Sequence, residues 1–270
     1  CSSLIAIPTL DTSAVTNIES MFADCRSLSA LPLLDTRKAT SMYRFLFNCN
    51  SLITVPLLDT SKVTSFNQTL SDCHSLISIP MLDTASSTDM KNMFSGCCRL
   101  RTVPLFDTTN VTEMDNMFNG CRSLITVPAF NTSQCRSTNN MFRDCWSLES
   151  VPLLDTSNVT TMGYMFYNCY SLEEVSDLDV SLAGSLDSLF NTCYSLSRVT
   201  IKTETGTWDN PKSFAVYNAQ MSRAALVALF NSLPVITVAA NLSIGLNPGT
   251  SELTDEDKAI ATGKGWTLTL

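Results

Sequence analysis

A strict period of 24 residues constrains this chain more than any other feature of its sequence. Nine of its eleven cysteines recur at that spacing without an insertion, at Cys1, Cys25, Cys49, Cys73, Cys97, Cys121, Cys145, Cys169 and Cys193. A leucine follows three residues after each of them, and a proline follows seven residues after each from Pro8 to Pro152. Because a unit this short cannot bury its own apolar face, successive units must stack into a solenoid.

Each unit divides into two parts with different periodicity. Apolar residues alternate at 151–153, which predicts a short strand. The apolar spacing at 159–169 predicts a two-turn helix with Thr160 as its N-cap. The residue before the periodic cysteine is Asp, Asn or Gly in seven of eight units, which predicts a left-handed turn. The predicted fold class is therefore an α/β solenoid, an array of 24-residue strand-helix coils that share one parallel sheet.

The period stops after Ile201, and the rest of the chain predicts a cap. We expect a loop at 203–217, a helix at 223–231 capped by Ser222, a strand at 235–244, a helix through Thr262 with Thr254 and Asp257 as its capping box, and a strand at 266–270. Two helix-strand units would thus extend the sheet and cover its open end. The predicted domains are a solenoid at 1–202, with eight units and a partial ninth, and a C-terminal capping region at 203–270.

Residues 151–172 read V-P-L-L-D-T-S-N-V-T-T-M-G-Y-M-F-Y-N-C-Y-S-L. This phrase resembles the BspA-type leucine-rich repeat of bacterial surface proteins, in its D-T-S-x-V-T-x-M-x-x-M-F variety, and the chain's ending resembles a tail that closes such arrays in gut Bacteroidetes. The resemblance implies a leucine-rich-repeat fold in a surface-exposed or secreted protein that binds a host protein, a glycan or another cell. The chain departs from the pattern at Asn131, Cys135 and Thr138, and again at Ser176 and Gly184.

The first residue raises a separate question. Cys1 enters the array in register with no initiator methionine or signal segment before it, so we expect a processed or trimmed chain. A lipid-modified cysteine is the alternative, but the repeat register accounts for Cys1 better. The first coil has no cap of its own, so we also expect self-association through this open N-terminal end.

Composition and motifs exclude several classes of function. A net charge of −8 and a pI near 4.6 oppose binding to nucleic acid. The apolar runs are far shorter than the roughly 20 residues of a membrane span. His74 is the only histidine, and the sequence lacks phosphate-loop, dinucleotide, serine-hydrolase and zinc-protease motifs. We therefore predict no enzyme activity, no catalytic or metal-binding residue and no cofactor.

Three columns of repeated residues are open to a structural or a functional interpretation. The periodic cysteines are expected to be free, buried thiols, because parallel stacking points their side chains the same way. Cys135 is expected to be buried too, whereas Cys98 is the candidate reactive thiol. The prolines are expected to set a shallow apolar ridge on the sheet face.

The third column is acidic and consists of Asp11, Asp35, Asp59, Asp83, Asp107, Asp155 and Asp179, with Asn131 in the sixth unit. Each member is expected to accept hydrogen bonds from the next backbone amides at a turn, as Asn131 could also do. A calcium ladder between coils is the alternative, although the unit lacks the glycine-rich spacing of calcium-binding β-rolls.

The candidate binding residues are aromatic. Trp146, Tyr170 and Tyr194 follow the periodic cysteine in three successive units, in a column that is polar elsewhere, and Tyr164 and Tyr167 fall in the predicted helix beside them. Stacked coils would gather these rings into one local surface. We predict a recognition patch there for a protein or glycan ligand. Packing of the rings against the C-terminal cap or against each other is the alternative.

The predicted function is a non-enzymatic recognition module at the cell surface or outside the cell. Repeat arrays offer long regular surfaces, which suit recognition. Two alternatives stay open: a passive stalk that presents another domain, and a repeat that cations stabilise through the aspartate column.

Overall fold

A computed structural model describes residues 2–202, 207–208 and 211–270. Parallel bridges join equivalent positions of successive coils, at Ser41–Ser65, Ser65–Asp89, Asp89–Glu113, Glu113–Ser137 and Ser137–Thr161. Each bridge spans one sequence period, so one repeat makes one coil of a solenoid. No helix in the described part of the chain is long and apolar enough to cross a membrane.

The second half of each coil is a run of turns, and the predicted two-turn helix is wrong. In one coil, Tyr164 and Asn168 have left-handed backbones, with φ of 57° and 59°. The amide of Phe166 donates to the carbonyl of Leu189 in the next coil at 3.1 Å, while the amide of Tyr167 donates to Tyr164 within the coil at 3.1 Å. Alternate amides thus bond between coils, whereas every amide inside an α-helix bonds within it.

The predicted left-handed turn before each periodic cysteine is confirmed. Its φ is positive at Asp24, Asn48, Asp72, Gly96, Gly120, Asp144, Asn168 and Thr192. The predicted capping role of Thr160 is wrong, because its hydroxyl donates to the carbonyl of Arg136 in the preceding coil at 3.1 Å.

The predicted single sheet is also wrong. Strand β1 (Glu174–Asp179) pairs in parallel with β2 (Arg198–Lys202), but the earlier coils show only isolated bridges at these positions. Proline removes one backbone donor from each of these segments. Hydroxyl groups of a buried threonine column supply the link instead. The column consists of Thr12, Thr36, Thr60, Thr84, Thr108, Thr132 and Thr156. The hydroxyl of Thr156 accepts from the amide of Asp179 at 2.8 Å and donates to its carbonyl at 2.9 Å.

The apolar alternation at 151–153 predicts that Leu153 is buried, and this is wrong. Leu154 is buried, whereas Leu153 is 64% exposed. The equivalent residue is also buried in other coils, at Leu34, Leu58 and Phe106. The prolines from Pro32 to Pro152 lie half-buried beside the exposed residues, whereas Pro8 is exposed.

The core of the solenoid is a continuous stack of apolar side chains. The rings of Phe94, Phe118, Phe142, Phe166 and Phe190 follow one another at 5.6 to 5.7 Å between centroids, nearly parallel. Offset stacking of this kind adds about 0.5–1.5 kcal/mol per pair to the burial of the rings. This phenyl stack holds the coils in register from the inside.

Short elements follow the solenoid: β3 (Thr207–Trp208), β4 (Phe214–Ala215), α1 (Arg223–Ser232), β5 (Val235–Ile236), β6 (Ala240–Ser243), a 3₁₀ helix (Pro248–Glu252), α2 (Asp255–Thr262) and β7 (Trp266–Thr269). Both predicted helices are confirmed, with the Ser222 cap and the Thr254–Asp257 capping box. The strand predicted at 235–244 is two strands.

The strands of this region do not extend the β1–β2 sheet, contrary to the prediction. In the described part of the chain, β3 pairs with β5, and β4, β6 and β7 form a second parallel sheet. The loop predicted at 203–217 contains β3 and β4. Residues 203–206 and 209–210 of that loop, like Cys1, lie outside the described residues.

Candidate functional site

Three of the predicted site residues form a continuous stack, which we call the aromatic strip: Trp146, Tyr170 and Tyr194. Each follows a fully buried cysteine, so its own side chain points away from the core. Backbone hydrogen bonds between coils fix the strip, because the carbonyls of Trp146 and Tyr170 accept from the amides of Ser171 and Ser195 at 3.2 and 3.1 Å. The rings are therefore held by the solenoid itself.

The ring geometry is close to parallel. Trp146 and Tyr170 lie 5.8 Å apart between centroids at 26°, and Tyr170 and Tyr194 lie 5.6 Å apart at 12°. The guanidinium of Arg122, in the same column of the preceding coil, lies 4.2 Å from the Trp146 ring centroid, in cation–π contact. Sequence reasoning placed Arg122 in this column but missed its contact with the ring.

The stack changes what the strip can bind. Neighbouring rings cover each other's faces in part, and Arg122 covers the outer face of Trp146. Trp146 is 37% and Tyr194 45% exposed, while Tyr170 is half-buried. A ligand therefore meets mainly ring edges and polar tips, so the strip offers less open ring face for stacking against a sugar than separate rings would.

The other two predicted residues form a separate pair. Tyr164 and Tyr167 lie 5.8 Å apart at 59°, and the guanidinium of Arg143 lies 5.7 and 5.1 Å from their centroids. Within the described residues no ring contact joins this pair to the aromatic strip. The five predicted residues thus make two clusters, and their binding role stays a prediction.

The aspartate column has the turn geometry that the sequence predicts. In all eight coils the Oδ1 atom of the Asp or Asn accepts from the amide two residues later, at 2.9 to 3.3 Å. Asn131 makes the same bond to Ser133, which shows that the turn requires an oxygen acceptor and not a charge. Among the described residues no group of three His, Cys, Asp or Glu side chains could hold a metal ion.

The periodic cysteines are free, buried thiols wherever the structure describes them, and Cys135 is buried too. From Cys49 to Cys193 each Sγ donates to a carbonyl of the preceding coil at 3.0 to 3.2 Å. Burial raises the pKa of Cys49 and Cys193 to about 12, so these thiols stay protonated. Cys98 is half-buried, and its Sγ donates to Gly96 at 3.2 Å.

The apolar ridge expected at the proline column lies one residue further along the chain. The side chains one residue after the prolines are exposed in six successive coils, and we call this row the leucine ridge: Leu33, Leu57, Met81, Leu105, Ala129 and Leu153. The expected apolar ridge therefore exists, but its exposed part is this row and not the half-buried prolines. The repeated Pro-Leu-Leu phrase was its sequence signal.

Comparisons with known proteins find a matching family and several similar solved structures. The family model described as "Mycoplasma protein of unknown function, DUF285" matches residues 3–102, 40–152 and 88–208. No curated protein matches the chain. A solved structure, the leucine-rich-repeat protein TpLRR of T. pallidum, is similar to 90% of this chain and 79% of its own, at 16% identity and a TM-score of 0.40.

Proposed function

Since the chain belongs to the family described as Mycoplasma proteins of unknown function, DUF285, we propose its function from its own geometry: a non-enzymatic recognition module whose aromatic strip binds another protein. We place it at the cell surface or outside the cell, in keeping with the BspA-type resemblance of its repeat. The observation that carries the proposal is the fixed stack of Trp146, Tyr170 and Tyr194, partly open to solvent.

The chemistry of the strip favours a protein ligand. Trp, Tyr and Arg are the residues most enriched at the energetic centres of protein interfaces. Since each ring is held by its neighbours and by hydrogen bonds between coils, binding would cost little conformational entropy. A glycan ligand would instead favour open ring faces, which the stack covers in part.

Catalysis has little support in the same geometry. Glycoside hydrolysis needs two carboxyl groups in different environments, one as an acid and one as a base or nucleophile. The solvent-exposed members of the aspartate column repeat one environment, with Oδ1 bound at a turn. A passive stalk remains the second candidate function, because a regular solenoid could also serve as a spacer.

The test is an array that carries purified extracellular-matrix proteins on one set of spots and glycans on another. The wild-type chain is compared with a variant that carries Trp146→Ser, Tyr170→Ser and Tyr194→Ser. Serine occupies the same column at Ser2 and is exposed there, so the substitutions suit the position. We expect a protein spot to bind the wild type, and the variant to bind it more than about tenfold more weakly, since interface aromatics are often worth over 1 kcal/mol each.

A matched control variant carries Tyr43→Ser and Tyr217→Ser, which remove two exposed aromatic residues elsewhere on the chain. This control should retain the wild-type affinity. Binding to glycan spots alone would contradict a protein ligand, and no binding to any spot would favour the stalk. If circular dichroism shows the triple variant to be unfolded, the strip is a structural contact and not a binding surface.

A further inference from the structure

The leucine ridge and the aspartate column run side by side along the solenoid. The large side chains of the ridge are 54 to 70% exposed. Single exposed apolar residues are ordinary on protein surfaces, but a row of them in successive coils is typical of a surface that another molecule covers. An aspartate follows two residues after each ridge residue, except that Asn131 follows Ala129, so an apolar row lies beside an acidic one.

The aspartates beside the ridge keep charge available for a ligand. Oδ1 of Asp155 accepts from the amide and hydroxyl of Ser157 at 3.1 and 2.6 Å, and no hydrogen bond to Oδ2 occurs in the described part of the chain. These bonds lower the pKa of Asp155, so it stays ionised at neutral pH. Asp59 has the same two bonds from Ser61. Asp35 differs, because Arg37 neutralises it.

Asp179, at the end of the column, supplies an independent observation. The residue is only 1% exposed, its Oδ1 accepts from Ser181, and its buried Oδ2 has no hydrogen-bond partner in the part of the chain that the structure describes. It lines a cavity together with Leu153, Asp155 and Lys202. Lys202 forms no ion pair with it among the described residues. An unpaired buried carboxylate oxygen is costly, so this cavity favours a ligand that brings a hydrogen-bond donor, and a cation above all.

The spacing of the coils favours an extended ligand. Phe106 and Phe130, the buried residues next to the ridge, stack at 6.4 Å and 5°. Because the rings are nearly parallel, this distance approximates the separation of the two coils at that column. Side chains on one side of an extended strand repeat at roughly 6.8 Å, whereas a helix repeats at about 5.4 Å per turn. At this column, directly beside the ridge, two residues of an extended chain match the ring spacing more closely than a helical turn does, whereas the phenyl stack deeper in the core repeats at 5.6 to 5.7 Å.

We propose that the leucine ridge and the aspartate column together bind an extended segment of a partner protein in which apolar residues alternate with Lys or Arg. One dipeptide of the partner meets each coil, with its apolar side chain on the ridge and its basic side chain at an aspartate. This surface consists of residues other than the aromatic strip, so it goes beyond the proposed function.

The test measures binding of a fluorescein-labelled decapeptide of alternating Lys and Val to the full chain by fluorescence anisotropy. Two further peptides act as controls: the same residues arranged as a Lys block followed by a Val block, and an alternating Glu and Val decapeptide. We expect the alternating basic peptide to bind at least about tenfold more tightly than the block peptide, and the acidic peptide not to bind.

Two variants test the two rows separately. The first carries Leu57→Ser, Met81→Ser and Leu105→Ser, all at positions more than half exposed, so the fold should tolerate it. The second carries Asp59→Asn, Asp83→Asn and Asp107→Asn, and Asn131 shows that asparagine keeps this turn. Each variant should weaken binding of the alternating basic peptide by about tenfold or more.

A charge-matched control carries Asp24→Asn, Asp72→Asn and Asp144→Asn. It makes the same change in net charge, at a turn position where Asn48 and Asn168 occur naturally with the same backbone. This control and the triple serine variant of the aromatic strip should both bind the peptide within about twofold of the wild type.

Several outcomes would overturn the proposal. The first is equal binding of the alternating and block peptides, and the second is wild-type affinity in either the leucine-ridge variant or the aspartate-column variant. The third is a loss of affinity in the charge-matched control equal to that of the aspartate-column variant. The fourth is no binding of the alternating peptide at about 1 mM. Since the strip variant is measured with the same peptide, failure here leaves the test of the aromatic strip intact.

Discussion

The threonine column links the coils where proline interrupts the backbone ladder, and substitution of Thr156 tests that role. Thr156 is 2% exposed, and its hydroxyl contacts both the amide and the carbonyl of Asp179 in the next coil, at 2.8 and 2.9 Å. Thr156→Val replaces the hydroxyl with a methyl group of similar size. The change therefore removes two hydrogen bonds between coils and leaves no cavity.

The expected cost follows from those two bonds. A hydrogen bond contributes about 1 kcal/mol net, and a buried group left without a partner costs about 1–3 kcal/mol. Two bonds to partly compensated backbone groups give a loss of about 2–4 kcal/mol in the free energy of unfolding. Thr156→Ser keeps the hydroxyl and loses one methyl group, which should cost about 1 kcal/mol.

The same column contains a matched control. Thr132 is also 2% exposed, but its hydroxyl has no hydrogen-bond partner among the described residues. Thr132→Val removes an unpaired buried polar group, so its free energy of unfolding should be unchanged or about 1 kcal/mol higher. Opposite results are thus expected from the same substitution in two coils.

The assay is urea unfolding followed by circular dichroism, with tryptophan fluorescence as a check that both signals report one transition. The reasoning is refuted if Thr156→Val is as stable as the wild type, or if Thr156→Val and Thr132→Val cost the same. Either result would mean that the buried threonines act only as apolar residues.

Three other predictions follow from the side chains already described. Millimolar calcium should leave the melting temperature as it is in chelator, because the aspartate column serves its turns; a rise of many degrees would show several linked sites. Iodoacetamide should modify Cys98 before the other described thiols in the native chain, because burial protects the other thiols and raises the pKa of Cys145 and Cys193. Mass spectrometry locates the label. Arg223 donates to Asp257 at 2.7 Å and lowers the pKa of that carboxyl to about 2, so this pair stabilises the fold above about pH 4 and is lost as the pH falls towards 2. The melting temperature of Asp257→Asn should therefore fall less steeply over this pH range than that of the wild type. An equal fall in both proteins would contradict the role of the pair.

The period and its columns could be predicted from the sequence because each coil repeats the same environment. The turns at the aspartates depend on contacts within two residues, whereas the buried cysteines and the left-handed residue before each of them recur because every coil places the same neighbours around them. Both C-terminal helices were predictable from local contacts, since Ser222 and Thr254 cap them.

The errors concern bonds between coils. An apolar spacing near that of a helix fits the turns equally well, and only the bond from Phe166 to Leu189 in the next coil separates the two. Likewise, two adjacent leucines leave open which is buried, and the structure buries Leu154 and exposes Leu153. For the site, the sequence placed the rings in one column, but it could not show that stacking covers part of their faces.

The most direct test of the proposed recognition function is hydroxyl-radical footprinting of the chain, free and bound to the protein that the array identifies. Oxidation of Trp146, Tyr170 and Tyr194 should fall on binding, because the partner covers their exposed edges, while Tyr43 and Tyr217 should be oxidised as before. Unchanged oxidation of the three strip residues in the bound chain, with protection elsewhere, would contradict the account.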